Sequence, residues 1–521
     1  GYFYNGTCCR VYPMPLEKKL SDRDRVEAHK GFCFNTRVSD SISVDRRQTD
    51  MRSSTCRAAV HPCTLPTASV VITFHNEHMA TLLRSVHSIL NHAPPSLLQE
   101  VILVDDASEI DQARFPMKHF SRLQGELEDY CRALPKVKLV RLKERRGLMV
   151  ARMEGAWRTR GEVLIFLDSH IEATPGWLEP LLAYIKKHRK SVVIPSMEVI
   201  LNENLKYNPA VGVGPLSFTW TLGQHQFFRP KNDEPSDSPI MAGGHMAVDR
   251  SFFFYLGGFD LGMELYGGEE IEQGFRFWMC GGQIKHLPCS HVGHIFRQGN
   301  VWLGQVYTVP NEVILRNKHR AAEVWMDEFK EVFKLISPLP RGTEVGPLEK
   351  RLELRKKLRC KSFAWYLDHV AKDVHPLVLN AQRWRVHLMN LMTGGCIDTL
   401  GESEAGKKLG CYPCHARPSS SSTQSIELDR KTGYIHLLRT KGLCMVRGGK
   451  KVHLRECSNE EHMVPMGKWK WEPSSTMSNV GWLQVEQYCL IASHIVTPKS
   501  PFTLAVEPCS GSSAQIWTWN E

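Results

Sequence analysis

Three polar residues follow an unbroken apolar run in the first half of the chain. The run covers residues 163–167, and Asp168, Ser169 and His170 come directly after it. Residues two apart in an extended backbone point the same way, so Asp168 and His170 could bind one divalent cation. An oxygen and an imidazole nitrogen together suit Mn²⁺ better than Ca²⁺. The alternative is a strand-end turn that carries an incidental Asp and His.

The elements around this triplet predict an α/β fold. The apolar run is typical of a strand that is buried on both faces. Other strands are predicted at 69–74, 101–104 and 137–142, with helices at 78–91 and from residue 147 onward. Alternating strands and helices indicate a doubly wound, mainly parallel sheet.

Polar side chains follow or lie near the end of each of three predicted strands. The carboxyl ends of parallel strands share one edge of the sheet, where such folds bind nucleotides. No phosphate-binding glycine loop of a P-loop or Rossmann protein is present. A metal together with Arg145, Arg146 or Arg297 would therefore neutralise any diphosphate. The polar strand-end residues are Thr73, His75, Asp105, Asp106, Asp168 and His170.

Further candidates lie in the following glycine-rich part. Gly243-Gly244 would let the backbone approach a ligand closely. Glu269 and Glu272 would share one helix face, although acidic residues in a first turn often serve only the helix dipole. His291 and His294 are both candidates for a third metal ligand.

The chain divides into four predicted segments. An N-terminal arm covers 1–66, a catalytic domain 67–348, a helical connector 349–393 and a third, all-β domain 394–521. Residues 320–334 are predicted to form a single amphipathic helix.

Cysteine-opened segments recur in the C-terminal part. They repeat about every 45 residues with little helix signal, which predicts a threefold β architecture. A zinc site at Cys411 and Cys414 is disfavoured, because no second cysteine pair at zinc spacing accompanies them. The opening cysteines with their candidate partners are Cys396 with Cys414, Cys444 with Cys457, and Cys489 with Cys509. The sequence leaves open the partners of Cys8, Cys9, Cys33, Cys63, Cys131 and Cys411.

The composition indicates the type of cellular compartment and limits the classes of partner. Sixteen cysteines among 521 residues indicate an oxidising compartment, and Asn5 lies in a glycosylation sequon. The net charge of +11 is spread over mixed-sign stretches, and no nucleic-acid recognition motif accompanies it. No apolar run is long enough to cross a membrane, so any anchor would lie upstream of Gly1.

Several motifs in combination resemble one family, the polypeptide N-acetylgalactosaminyltransferases. The similarity runs from about residue 30 to the C-terminus, and the tail resembles the family's ricin-type lectin domain. The motifs are Phe74-His75-Asn76-Glu77, Val104-Asp105-Asp106, Gly147-Leu148-Met149, Leu167-Asp168-Ser169-His170, Met241-Ala242-Gly243-Gly244, Gly267-Gly268-Glu269, Val292-Gly293-His294 and Arg320-Ala321-Ala322-Glu323-Val324-Trp325.

The resemblance implies a GT-A catalytic domain followed by a β-trefoil lectin domain. It implies Mn²⁺ as cofactor, UDP-N-acetylgalactosamine as donor, and Ser or Thr hydroxyls of proteins or glycopeptides as acceptors. Configuration at the anomeric carbon would be retained. It also implies a Golgi type II membrane protein. The alternative is a weak or inactive relative that binds glycoproteins in a chaperone-like way.

The resemblance also implies residue roles. Asp168, His170 and His294 would bind the metal, and Glu269 and Glu272 would lie at the transfer site. Contacts to the donor would come from Thr73, His75, Asp106, Arg145, Asp168, Ser169, Tyr266, Arg297, Asn300 and Trp302. Disulfides would join Cys56 to Cys289 and Cys280 to Cys360, and Asp398, Tyr412 and His415 of the first trefoil repeat would bind sugar.

The sequence departs from the family pattern at the donor site. Tyr266 replaces the usual Trp, Glu270 the usual Asn, and residues 298–302 differ from the family's mobile loop. In the tail, only the first repeat keeps the aspartate of the lectin signature.

Overall fold

A computed structural model describes most of the chain. The described residues are 28–29, 31–109, 122–227, 232–297, 309–374, 385–415, 423–428, 433–437, 440, 442–457, 467–474, 480–494 and 501–520. The helices are α1 Thr36–Ser41, α2 Ser54–Ala58, α3 Met79–His92, α4 Leu127–Arg132, α5 Leu148–Trp157, α6 Leu178–Lys187, α7 Arg250–Tyr255, α8 Glu269–Met279, α9 Asn311–Trp325, α10 Lys330–Ile336, α11 Glu349–Lys357 and α12 Phe363–His369.

The first large sheet contains the strands predicted from the sequence. Its strands are β1 Ala68–Phe74, β2 Leu98–Asp105, β3 Val137–Arg141, β4 Val163–Leu167, β5 Ile171–Ala173, β6 Ser191–Ile200, β7 Tyr207–Val213, β10 Ser236–Asp237, β11 Met246–Asp249 and β12 Gln283–Ile295. A separate two-stranded sheet joins β8 Leu216–Phe218 to β9 Gln224–Gln226.

The sheet is parallel on one side of β4 and mixed on the other. β3, β2, β1 and β4 lie side by side in parallel, whereas β11 runs antiparallel to both β4 and β6. The mainly parallel sheet predicted from the sequence therefore holds for the first half of the domain, and antiparallel strands complete it.

The unbroken apolar run in β4 is explained by two cores, one on each face of the sheet. Val163, Ile165 and Leu167 pack into one core together with α3 and α6. Leu164 and Phe166 pack into the other core together with α5 and α7. Neighbouring side chains in a strand point to opposite faces, so burial on both faces requires every position to be apolar.

Two predicted helical stretches differ from the prediction. The single helix expected at 320–334 is wrong, because α9 ends at Trp325 and α10 begins at Lys330, with a short 3₁₀ turn between them. Asp327 in that turn has φ +48°, which an α-helix cannot accommodate. In the predicted connector, Arg385–Asn390 is a strand rather than a helix.

The C-terminal strands form a second sheet with a threefold pattern. Trp469 donates its indole N–H to the carbonyl of Met445 at 2.8 Å, and Trp517 donates to Leu490 at 2.9 Å. Each acceptor directly follows the cysteine that opens its repeat. The strands are β13 Arg385–Asn390, β14 Gly395–Asp398, β15 Gly410–Pro413, β16 Ile426–Leu428, β17 Ile435–Leu437, β18 Leu443–Gly448, β19 Lys451–Glu456, β20 Lys470–Pro473, β21 Val480–Val485, β22 Tyr488–Ser493, β23 Thr503–Pro508 and β24 Trp517–Asn520.

Contacts divide the chain into two compact units. The first consists of 1–217, 224–326 and 340–366, and the second of 218–223, 327–339 and 367–521. Residues 349–366, predicted to lie in the connector, thus pack with the catalytic domain. In the described part of the chain, no helix has both the length and the apolarity required to cross a membrane.

All five disulfides expected from the sequence are confirmed. Two lie in the first unit and one closes each trefoil repeat. They are Cys56–Cys289, Cys280–Cys360, Cys396–Cys414, Cys444–Cys457 and Cys489–Cys509.

Candidate active site

The polar strand-end residues meet at one edge of the first sheet, as predicted. β1 ends at Phe74 opposite Asp105, the last residue of β2. Ile72 of β1 pairs with Leu167, the last residue of β4, so the residues that follow β4 emerge at the same edge. The sheet register therefore groups the predicted nucleotide contacts, among them Thr73 and Ser169.

Asp106 closes the loop in front of α5. Its two carboxylate oxygens accept hydrogen bonds from the backbone N–H groups of Arg146 at 2.7 Å and Gly147 at 2.8 Å. Gly147 has φ +86°, and a Cβ there would lie 2.5 Å from the backbone of Leu265. The close approach therefore requires glycine.

His75 lies beside Asp106 on the same edge. Its Nδ1 is 2.8 Å from the carbonyl oxygen of Asp106. Burial and the nearby Arg145 guanidinium lower the pKa of His75, which keeps the ring neutral at physiological pH. This arrangement brings two predicted donor contacts, His75 and Arg145, to the same place.

Glu77 contacts three predicted site residues, although no role was predicted for it. Ser169 Oγ donates to its carboxylate at 2.6 Å, His170 Nδ1 lies 3.1 Å away, and Arg297 contacts both oxygens. Burial alone would raise the pKa of Glu77, but Arg297 and His170 outweigh it and hold the pKa far below its usual range. Its position directly after His75-Asn76, at the end of β1, could have indicated a role in the site.

Asp168 is the centre of a carboxylate–imidazole cluster. Its Oδ2 lies 3.2 Å from His294 Nε2 and 3.8 Å from His245 Nε2, and its Oδ1 lies 3.3 Å from Arg152 Nη2. Burial would raise the pKa of Asp168, but His294, His245 and Arg152 hold it well below the usual range. A carboxylate beside two imidazoles is a donor set that suits a divalent transition metal.

The atoms in this cluster fit a cation. One ligand atom from each of Asp168, His245 and His294 lies within 4.8 Å of the other two. Three buried ring nitrogens here have no hydrogen-bond partner within the described residues. They are Nδ1 and Nε2 of His245 and Nδ1 of His294. Sequence reasoning missed His245, which directly follows the Gly243-Gly244 pair, and Arg152.

His170 lies next to this cluster and faces Glu77 as well. Its ring centroid is 4.7 Å from that of His294. Burial and Arg297 lower the pKa of His170 to about 4, so the ring is neutral and can offer a lone pair. Its role as a metal ligand stays a prediction. The competing candidate His291 is bound elsewhere, with its Nδ1 2.9 Å from a carboxylate oxygen of Glu198.

Gly243 and Gly244 fit between the two acidic centres. A Cβ on Gly244 would lie 2.1 Å from Asp168 Oδ2, and a Cβ on Gly243 would lie 3.0 Å from Glu269 Oε1. Arg152 donates a hydrogen bond to the carbonyl of Gly243 and also contacts Asp168. The glycine pair therefore lets the backbone pass between the cluster and Glu269.

Glu269 begins α8 and is almost completely buried, with 2% of its surface exposed. Neither carboxyl oxygen has a hydrogen-bond partner in the described part of the chain. Burial and the neighbouring Glu270 raise the pKa of Glu269 well above its usual range. This environment favours the protonated, neutral form of the carboxyl group.

Glu272 has a different environment from Glu269. Its two oxygens accept hydrogen bonds from Arg276 Nε and Nη2, each at 2.8 Å, and Trp325 Nε1 donates to one of them at 3.1 Å. This arrangement favours a structural role for Glu272 over the catalytic role predicted for it.

The remaining predicted donor contacts are only partly described. Tyr266 is half-buried, and its carbonyl oxygen accepts a hydrogen bond from Asn317 Nδ2 at 3.3 Å. Asn300, Trp302 and the glycosylation sequon at Asn5 lie outside the described residues.

The first trefoil repeat places its predicted sugar contacts close together. Asp398 Oδ2 accepts a hydrogen bond from Gln424 Nε2 at 2.8 Å, and Gln424 Oε1 accepts one from the backbone N–H of His415 at 2.7 Å. Tyr412 has 43% of its surface exposed. β14, which ends at Asp398, pairs with β15, which contains Tyr412, so the two predicted contacts lie on neighbouring strands.

Three family models match parts of the chain. They are "Glycosyl transferase family 2" at residues 69–254, "N-terminal domain of galactosyltransferase" at 224–298 and "Ricin-type beta-trefoil lectin domain" at 384–517. The matches cover both the first sheet with its cluster and the C-terminal trefoil.

Whole proteins from animals are similar over most of the chain. Polypeptide N-acetylgalactosaminyltransferase 13 from Homo sapiens is 40% identical over 425 residues, which cover 79% of this chain and 72% of that protein. Probable N-acetylgalactosaminyltransferase 9 from Caenorhabditis elegans is 35% identical over 472 residues, covering 88% and 78%. The crystal structure of GalNAc-T7 with UDP, GalNAc and Mn²⁺ matches with a TM-score of 0.63 and 29% identity, covering 96% of this chain and 91% of that one.

Proposed function

The chain belongs to the polypeptide N-acetylgalactosaminyltransferase family, and on that premise we propose that it transfers N-acetylgalactosamine from UDP-N-acetylgalactosamine to Ser and Thr hydroxyls of polypeptides. Configuration is retained and Mn²⁺ is the cofactor. The single observation that carries this function is the Asp168 cluster at the edge where β1, β2 and β4 end.

The metal is assigned to Asp168, His170 and His294. Support comes from the half-buried carboxylate of Asp168, from the lowered pKa of His170, which keeps that ring neutral, and from the distances among these groups. A cation held by these residues would supply positive charge to the departing diphosphate.

The chain's own cations complete the diphosphate site. Glu77 fixes Arg297 in one orientation, and the Arg297 guanidinium also lies over the ring of Phe34, 5.5 Å from its centroid. A guanidinium held in place can donate two parallel hydrogen bonds to a phosphate. Arg145, next to the loop that Asp106 closes, adds a second positive charge.

The raised pKa of Glu269 favours a mechanism in which the acceptor hydroxyl attacks the anomeric carbon from the face that the diphosphate leaves. A double displacement requires an ionised nucleophile next to the anomeric carbon. Burial and Glu270 raise the pKa of Glu269 and so favour its protonated form, which can donate a hydrogen bond and position a substrate instead. The acceptor hydroxyl then attacks directly, and the leaving phosphate takes its proton.

The trefoil serves acceptor selection. Asp398, Tyr412 and His415 bind an N-acetylgalactosamine already attached to the acceptor. The hydrogen bonds around Asp398 and the exposure of Tyr412 support this assignment.

We place the protein in the Golgi lumen as a type II membrane protein. Five disulfides support an oxidising compartment. Microscopy of the protein in cells, with Golgi markers, tests this assignment.

The second candidate function is a weak or inactive relative that binds glycoproteins. Glu270 in place of the family's usual Asn favours it, because it adds a second acidic side chain beside the buried Glu269. Tyr266 in place of the family's Trp adds to that argument.

A transfer assay separates the two candidates. The purified chain is incubated with Mn²⁺, UDP-N-acetylgalactosamine and panels of bare and glycosylated peptides, and the anomeric configuration of the product is read by NMR. We expect an α-linked product on Ser or Thr. If no peptide of either panel is glycosylated, the second candidate function, an inactive relative, is supported. If sugar is transferred only to a glycan or a lipid, the chain is a different kind of sugar transferase.

A further inference from the structure

We propose that His245 is an additional nitrogen ligand of the divalent cation at Asp168. The inference rests on the proposed function, which supplies the cation. The ligand set then joins one carboxylate with the imidazoles of His170, His245 and His294, and it is richer in nitrogen than the sequence motifs predict.

The backbone carries His245 past the end of β4. His245 directly precedes β11, whose first residue, Met246, pairs with Phe166 of β4. Gly244 stands so close to the carboxylate of Asp168 that a Cβ there would lie 2.1 Å from Oδ2. The pairing of β11 with β4 therefore places the side chain of His245 near the carboxylate of Asp168.

The imidazoles of His245 and His294 converge on one oxygen. His245 Nε2 and His294 Nε2 lie 3.8 Å and 3.2 Å from Asp168 Oδ2, and the two ring centroids are 5.3 Å apart. Metal–ligand bonds of about 2.1 Å place neighbouring ligand atoms roughly 3–4 Å apart. Ligand atoms within 4.8 Å of one another therefore need only a small movement to share an ion.

The burial of His245 calls for a partner. Only 1% of the residue is exposed, and neither ring nitrogen has a hydrogen-bond partner in the described part of the chain. The 3.8 Å separation from Asp168 is too long for a hydrogen bond. His286, which is 3% exposed, differs because one of its ring nitrogens has a partner: its Nε2 lies 3.0 Å from Ser196 Oγ.

An additional imidazole changes which metals the site prefers. Nitrogen ligands favour Co²⁺ and Zn²⁺ over Mn²⁺, following the general order of divalent affinities. The chain should therefore bind Co²⁺ more tightly, relative to Mn²⁺, than it would without His245.

The test compares full-length wild type with His245→Leu, and with His286→Leu as the control for loss of a buried histidine. Pulsed EPR of bound Mn²⁺ counts the coupled nitrogens, and calorimetry gives the Kd values of Mn²⁺ and Co²⁺ alone. We expect His245→Leu to lose one nitrogen coupling and to weaken Co²⁺ binding by roughly tenfold or more. His286→Leu should change neither.

The same nitrogen count in wild type and His245→Leu overturns the proposal. If His245→Leu does not fold, His245→Gln gives the same reading, because it keeps a polar side chain of similar length but has no imidazole. Failure of the proposed function looks different: the wild type then transfers no sugar to any peptide, while its nitrogen count still exceeds that of the variant.

Discussion

Glu77 offers a sharp test of how the donor site is held together. Its carboxylate accepts hydrogen bonds from Ser169 and Arg297 and contacts His170. Glu77→Gln keeps the shape of the side chain, removes its charge and turns an amide N–H₂ toward one of these hydrogen-bonding groups. We expect a lower free energy of unfolding and weaker binding of the sugar-nucleotide donor.

The magnitude follows from the surroundings of the pair. Breaking a buried ion pair costs about 3–5 kcal/mol. Arg297 keeps 18% of its side chain exposed, and glutamine retains one acceptor oxygen, so we expect a loss of about 2–4 kcal/mol in the free energy of unfolding. The loss should shrink at low pH, because the pKa of Glu77 is depressed. Its contribution to stability is complete above the unfolded pKa and disappears as pH falls through the folded one.

A matched variant separates stability from binding. Glu172 is also a buried carboxylate, held by Arg46, Gln48 and Arg84 and bonded to none of the predicted site residues. Glu172→Gln should lower the free energy of unfolding by a similar amount while leaving Mn²⁺-dependent UDP binding near that of the wild type. Denaturant melts and calorimetry read the two quantities. Glu77→Gln should weaken UDP binding at least roughly tenfold, and wild-type binding in this variant would refute the organising role of Glu77.

Other outcomes follow from the same geometry. Gly244→Ala should weaken Mn²⁺ binding in calorimetry, because its Cβ would lie 2.1 Å from Asp168 Oδ2, whereas Gly125→Ala, which meets nothing within 4 Å, should not. Asp398→Ala should keep activity on bare peptides and lose it on peptides glycosylated at a distant site; equal loss on both would reject a separate lectin role. The pKa of His170 is about 4 in the folded chain and about 6.5 in the unfolded chain. Between these two pH values the unfolded chain therefore binds more protons at His170 than the folded chain does. The free energy of unfolding should therefore fall from pH 6.5 toward pH 4, by up to roughly 3 kcal/mol for this group, and thermal melts of His170→Gln should show a shallower fall.

The sequence predicted what local pattern can encode. The apolar run of β4 predicted a doubly buried strand, and the polar residues after it predicted the edge where the site lies. The cysteine repeat predicted the trefoil and its three disulfides. In each case the signal lies within a few residues or in a regular period.

Features that depend on distant partners were missed. Glu77 and Arg297 are 220 positions apart in the chain, and nothing near either residue indicates their pairing. His245 and Arg152 reach Asp168 only because β11 pairs with β4 and because α5 packs on the face of the sheet that Leu164 and Phe166 line. The break before α10 depends on one residue, Asp327, at positive φ within an otherwise helical pattern.

Calorimetry of UDP binding with and without Mn²⁺, on the wild type and on Asp168→Asn, is the most direct measurement. Asparagine preserves the shape of the side chain and removes the charge around which the imidazoles of His245 and His294 gather. We expect a Mn²⁺-dependent binding heat for the wild type and none for the variant, with thermal melts showing that both are folded. A variant that binds UDP with Mn²⁺ as tightly as the wild type would contradict the placement of the metal at this cluster.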